Sequence, residues 1–383
     1  MSITQPAGFT ASGVAAGLKD SGGLDVALVV NNGPRFDAAG VFTTNRISAA
    51  PVRWSQTALE NGQAKAVVLN SGGANACTGV PGDNDAAAMA KAVAETLDLA
   101  SHDVLVCSTG LIGERLHMDK VISGIETAGD ALSEDGSENA AKAIMTTDTV
   151  HKVAAASGDG YSVGGMTKGA GMIAPGMATM LAVVTTDAVI DTNLAHKLLT
   201  EAVRTTFNRA DSDGCMSTND TVILMCSGAS GVVPNSTQIQ ELIRQVCASL
   251  ARQIIGDAEG STRDIAVTVH GAASEQDGEE VARAVTRSNL FKTAMFGKDP
   301  NWGRIISAVG TTEAQFDPAT IDVAVNDVMV CRNAGIGEDR GLVCFDDREV
   351  AVDIYLKAGS HQVTVWTNDL SYDYVTENAE YSS

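Results

Sequence analysis

Aromatic residues are scarce in this 383-residue chain: Phe, Tyr and Trp together make 4%. An interior poor in rings must be filled by Val, Ile, Leu and Ala, and the 38 glycines allow close backbone approach. Positive charge is also short, with 26 Lys and Arg against 47 Asp and Glu, a formal net charge of −21. Such a surface repels nucleic-acid phosphates and anionic lipid, which disfavours both partners but not a small anion held in a locally positive pocket. No apolar run reaches the roughly 20 residues of a membrane helix. The opening "MSITQPAGFTASG" lacks the basic start and apolar core of a secretory signal.

Sequence signatures are missing too. No CxxC occurs among the seven cysteines (77, 107, 215, 226, 247, 331 and 344), and the odd count predicts reduced, buried thiols in a cytoplasmic protein. The six histidines lie far apart with no HExxH, so no metal site is expected. There is no GxxxxGK[ST] phosphate loop, no strand-linked GxGxxG and no GxSxG elbow. A metalloenzyme, an NTPase and an ordinary serine hydrolase all lose support.

What remains is patterned. Hydrophobic residues make 44%, enough for a large core and too many for disorder. Strands are predicted at 64–70, 103–109, 179–186, 220–227, 264–272, 322–328, 348–356 and 361–369. Helices are predicted at 83–98, 117–131, 192–207, 236–255 and 277–288, with Asp191 and Ser236 as initiators. The order gives a mixed α/β protein of two or three domain-sized units. The acidic 133–140 and the glycine-rich 156–172 read as linkers, Gly13, Gly17, Gly22 and Gly23 as turns, and Asn235-Ser236-Thr237 as a helix cap. Asp211 and Asp213 read as turn formers, and Glu259 as a solvated loop acid.

One segment stands apart. In "KGAGMIAPGMATMLAVVTTDA" (168–188) a glycine-rich loop becomes a hydrophobic run at Thr179, just after Ala178. A threonine beginning a strand is the commoner explanation. The sharper one is self-cleavage: the hydroxyl attacks the preceding carbonyl, the ester hydrolyses, and Thr179 gains a free α-amino group. That amine, with a pKa of ~7.7–8.0, can serve as general base for its own hydroxyl. Lys168 upstream offers positive charge. In "CSTGLIGERL" (107–116), Thr109-Gly110 at a strand end offers a hydroxyl and an N–H for an oxyanion, although a plain turn explains them equally well.

Ordered motifs reverse the odds. "STGLIGERL", "MTKGAGMIAPGMATMLAVVTTDA", "DSDGCMSTNDTV", "GDAEGSTR", "DPNWGRI" and the terminal "YVTENAEYSS" together resemble the ornithine acetyltransferase (ArgJ) family. The likeness runs from "GVAAGLKDSG" and "VFTTNRISAAPV" to the last residue. It implies an ArgJ/DmpA-like layered α/β fold (mixed α+β) with a self-processing N-terminal nucleophile. It also implies a cut between Ala178 and Thr179, giving an α chain (1–178) and a β chain (179–383) that associate two and two.

Thr179 would then take the acetyl group of N2-acetyl-L-ornithine and pass it to L-glutamate, with Thr109 and Gly110 as oxyanion hole. Substrate contacts carry over to Thr146 (with Thr147 adjacent), Lys168, Thr179, Glu259, Asn378 and Ser383. Electrostatics pairs Glu259 with the substrate ammonium and Lys168 with its carboxylate side. No resident cofactor is implied. Some relatives also use acetyl-CoA as donor, and with no coenzyme A signature here that activity stays open. Gly73, in "NSGGANACTG", stands where the family often has asparagine. The competing readings are an aminopeptidase or amidase of the same self-cleaving architecture, in which water replaces glutamate, and an uncut amino-acid-binding module.

Overall fold

A computed structural model of the chain describes residues 2–174 and 180–380. The chain forms two compact units, residues 1–208 with 215–254, and residues 209–214 with 255–383. The expected cut at 178/179 falls inside the sequence range of the first.

The first unit contains β1 (Phe9–Val14), β2 (Val26–Asn31), β3 (Asp37–Phe42), α1 (Ala50–Ala58), β4 (Ala66–Asn70), α2 (Gly79–Leu97), β5 (Val104–Ser108), α3 (Met118–Asp130) and α4 (Ser137–Ala143). It continues through β6 (Lys152–Ser157), β7 (Ser162–Lys168), β8 (Leu181–Thr186), α5 (Thr192–Thr205), β9 (Thr221–Cys226) and most of α6 (Ser236–Gly256). A four-stranded sheet has the order β1-β2-β4-β5 and a five-stranded sheet β3-β9-β8-β7-β6.

Alternation explains how these sheets stack. Ala27 and Val29, Val67 and Leu69, and Leu105 and Cys107 turn one way, to share a core with Met166, Leu181, Val183, Ile223 and Met225 of the second sheet. Their neighbours Val26, Leu28, Val68, Val104 and Val106 turn the other way, onto Met89 and Val93 of α2 and Val121 and Ile125 of α3. On the second sheet α5 packs against β3 and β9. Strands covered on both faces read as continuous apolar runs, which is why β4, β5, β8 and β9 were visible in the sequence, although β2, equally buried, was not among the expected strands.

The second unit contains β10 (Asp264–Ala272), α7 (Glu275–Thr286), α8 (Asn289–Phe296), α9 (Trp302–Val309), β11 (Asp322–Val325), β12 (Val328–Arg332), β13 (Gly335–Ile336), β14 (Glu349–Tyr355), β15 (His361–Asn368) and α10 (Tyr372–Glu380). Its sheet has the order β13-β12-β11-β14-β10-β15. Ile265, Val267 and Val269 pack with Val281 and Val285 of α7, Phe291 of α8 and Ile305 of α9, while the alternate residues of β10 stay partly exposed.

The mixed α/β class holds, as do most predicted elements, but several readings need correction. Residues 133–140 are not a linker: α4 begins at Ser137, with Ala140, Ala141 and Ala143 fully buried. Nor is 156–172 a linker, since it contains most of the β6–β7 hairpin, and β7 is buried along its length. Its glycines serve contact: a Cβ on Gly165 would lie 2.9 Å from Leu250 Cδ1, and one on Gly164 only 1.9 Å from the Ser2 carbonyl oxygen. Gly13 is likewise a β1 residue rather than a turn, pressed against the Asn139 carbonyl.

The run 322–328 is two strands, because Asn326 and Asp327 adopt φ of 45° and 66° and turn the chain. Asp211 is fully buried and ion-paired to Arg287 at 2.8 Å rather than sitting in a solvated turn. None of the seven cysteines forms a disulfide, yet Cys77, Cys215 and Cys344 are exposed, not buried. The cap at Asn235 holds, its Oδ1 accepting from Thr237 N at 2.9 Å.

Candidate active site

In the first unit the site begins where β5 ends. Thr109 is 3% exposed, and its backbone is fixed at both ends: its N–H donates to Asn70 O (3.0 Å) and its carbonyl accepts from Gly73 N (3.0 Å). The Asn219 amide donates to the carbonyls of Ser108 (2.8 Å) and Ala74 (2.6 Å), holding the peptide before Thr109. Gly110 follows with φ +133°, and a Cβ there would fall 2.8 Å from Gly73 Cα and N. Only glycine suits that conformation and that space. The Gly110 N–H donates to no described residue.

Lys168 closes β7 from the opposite sheet, 2% exposed, and its Nζ donates to Thr109 Oγ1 at 3.3 Å. With that oxygen accepting from the ammonium, the Thr109 hydroxyl hydrogen is turned to other acceptors. The two features read from "STG" thus coincide: a hydroxyl donor beside an amide that no described residue engages, backed by a buried cation.

Beneath Lys168 lies a group the motifs did not disclose. The buried Asp148 accepts from Gly169 N (2.7 Å), Thr146 N (3.0 Å) and Lys152 Nζ (2.6 Å). Burial alone would raise its pKa, but the positive charges of Lys168 and Lys152, with these hydrogen bonds, bring it down to about 2. It stays ionised, pairs directly with Lys152 and attracts Lys168 through its charge. Thr146 therefore joins this cluster through its backbone.

A second undisclosed acid, Asp220, precedes β9. It is fully buried, and its Oδ1 accepts from Met180 N at 3.0 Å. Burial raises its pKa well above the usual carboxylate value, outweighing the Met180 amide, the charge of Lys168 and hydrogen bonds from Ser217. The residue patterns pointed to "STNDTV" but not to this acid; an acid immediately before an apolar strand was the one available cue.

In the second unit Glu259 lies between α6 and β10, and Asn378 on α10 donates to its Oε2 at 3.0 Å. Burial raises the pKa of neighbouring Glu377, and the negative charges of Glu259, Asp373 and Asp257 add to it. This acidic end of α10 suits an ammonium group. Glu259 is thus hydrogen-bonded in an acidic cluster, more than a solvated loop acid. Ala178, Thr179 and Ser383 lie outside the described residues. No group of three or more His, Cys, Asp or Glu among the described residues is placed to hold a metal, and no described helix is long and apolar enough to cross a membrane.

Comparison with known proteins places these groups in a family. The ArgJ family model matches residues 10–383. The chain is 58% identical to the arginine biosynthesis bifunctional protein ArgJ of Streptomyces avermitilis, covering 100% of both, and 56% identical, with the same coverage, to that of Streptomyces coelicolor. The crystal structure of the Bacillus halodurans ArgJ protein matches with 35% identity and a TM-score of 0.50, over 51% of this chain and 97% of that one. The structure of Mycobacterium tuberculosis ornithine acetyltransferase complexed with ornithine matches with 51% identity and a TM-score of 0.45, over 47% and 96%. By the extent of these matches, this chain belongs to the ArgJ family.

Proposed function

We propose that this protein is a self-processing glutamate N-acetyltransferase of arginine biosynthesis, moving acetyl from N2-acetyl-L-ornithine to L-glutamate. The whole-length family match carries the reaction class. The buried Lys168–Thr109 contact beside the Gly110 amide supports acyl transfer in particular. Relatives at 48–58% identity bear the names of arginine-biosynthesis proteins, which favours transfer over the aminopeptidase or amidase reading.

In this scheme Thr179, freed by scission of the Ala178–Thr179 bond, is the nucleophile. Its α-amine takes the hydroxyl proton, Oγ bonds to the acetyl carbon, and the C–N bond to ornithine breaks as the proton passes to the leaving nitrogen. The Thr109 hydroxyl and Gly110 N–H hold the oxyanion, a task worth about 10²–10³ in rate per donor. Lys168 meets the substrate carboxylate side, Glu259 with Asn378 the ammonium side, and Thr146 and Ser383 complete the contacts. Glutamate then enters and the steps run in reverse.

A division near the middle is supported by the Bacillus halodurans chain, covered over 97% of its length by 51% of this one. The products, 1–178 and 179–383, assemble two and two in the cytoplasm. No resident cofactor takes part; acetyl-CoA enters as a second donor, a role supported by the word "bifunctional" in the relatives' names.

The test is amino-terminal sequencing of the purified protein together with a transfer assay. A fragment beginning Thr179-Met180 is expected, with glutamate-dependent release of ornithine. An intact chain with full activity, or acetate release indifferent to glutamate, overturns the reading. Thr179→Ala abolishes both cutting and transfer.

A further inference from the structure

Asp220 has no part in the scheme above, yet it is built into the segment that follows the scissile bond. The parallel β8–β9 ladder pairs Leu181 with Thr221, and Thr221 N donates to Met180 O at 3.1 Å. One step earlier a backbone partner for Met180 N is missing, and the Asp220 side chain supplies it, Oδ1 accepting at 3.0 Å. Both backbone polar groups of Met180 are therefore held by two consecutive residues. Met180 N is covalently bonded to the carbonyl carbon of Thr179, so the clamp sits one residue beyond the bond to be cut.

The carboxyl is an unusual choice for that task. It is fully buried, and Ser217 hydrogen-bonds to it through its side chain and its backbone. A buried carboxyl is costly unless its oxygens are hydrogen-bonded, and here the Met180 amide and Ser217 converge on it. The raised pKa suits the place: an ionised group would add a second negative charge near Lys168, which already interacts with Asp148. The Asp220 carbonyl is itself fixed, accepting from Thr43 N at 2.9 Å, so the side chain springs from a rigid base.

We propose that Asp220 is a positioning residue for self-processing, its side-chain oxygen clamping Met180 so that the Thr179 hydroxyl is presented to the preceding carbonyl. This rests on Thr179 being the processing residue. The clamp requires a hydrogen-bond acceptor at Oδ1. Asp220→Asn keeps acceptor and shape, whereas Asp220→Leu keeps only the shape.

The experiment follows precursor conversion by intact-mass spectrometry after a translation pulse, with thermal melting of each variant alongside. Asp220→Asn is expected to cut within about threefold of the native rate. Asp220→Leu is expected to fold but to cut about 100-fold more slowly, the cost of a small misplacement of reacting groups. A folded Asp220→Leu protein that cuts at the native rate overturns the proposal. Should Asp220→Leu fail to fold, Asp220→Asn decides alone, and a 30-fold loss there overturns it. If the native chain is never cut at Ala178–Thr179, the processing reading fails and this proposal with it. If the native chain is cut and the variants match it, only the role of Asp220 falls.

Discussion

Lys168 and Thr109 stand 59 residues apart in sequence, at the ends of strands in two different sheets, and meet at 3.3 Å between Nζ and Oγ1. The contact commits the threonine oxygen as acceptor and leaves its proton for another oxygen. Thr109→Ala removes that donor and is expected to lower kcat by about 10²–10³ with little change in KM, whereas Thr109→Ser retains it and stays within about tenfold. Steady-state kinetics on processed enzyme checks both; an unchanged kcat in Thr109→Ala denies the oxyanion role.

Gly110 is fixed by shape. With φ at +133° and Gly73 backbone atoms 2.8 Å from the site of a Cβ, an alanine there must push the two loops apart. Gly110→Ala is expected to cost about 100-fold in kcat while leaving the far-ultraviolet circular dichroism intact. Activity near native would mean that the amide has no fixed task.

Asp148 lends itself to a pH measurement. Its pKa in the folded protein, about 2, lies below the ordinary 3.8, so the folded state releases this proton more readily than the unfolded chain. The resulting stability is fully present above pH 4 and is lost as pH falls toward 2. Asp148→Asn leaves Lys152, fully buried, without its anion. Removing one member of a buried pair costs about 3–5 kcal/mol near neutral pH. Urea unfolding at pH 7 and at pH 3 is expected to give a smaller difference between native and Asp148→Asn protein at the lower pH. A constant difference would refute the linkage.

In the proposed scheme Glu259 and Asn378 meet the ammonium side of the substrate. Glu259→Gln keeps an oxygen able to accept from Asn378 but removes the charge, so its effect is expected in KM for acetyl-ornithine, raised about tenfold or more, with a lesser change in kcat. Equal KM values for the two proteins would place the ammonium elsewhere.

Much of this was legible beforehand, and the reason differs by level. Runs such as "VLVCST" and "TVILMC" declare themselves because strands covered on both faces must be apolar throughout, and Asp191 and Asn235 mark helix starts through local hydrogen bonds. The glycine-rich β7 and the acidic approach to α4 were misread because their burial depends on distant atoms, Leu250 and Ser2 in one case and Ala11 in the other, which no local pattern displays.

The chemistry divides the same way. By itself the sequence determined the family, and it offered Thr179 and the Thr109-Gly110 pair as candidates, since these are properties of short ordered motifs. Only the tertiary structure decided that Lys168 backs Thr109, that the pKa of Asp148 falls and that the pKa of Asp220 rises. A carboxyl's protonation follows from which charges and amides surround it and how little water reaches it, and folding alone assembles that environment.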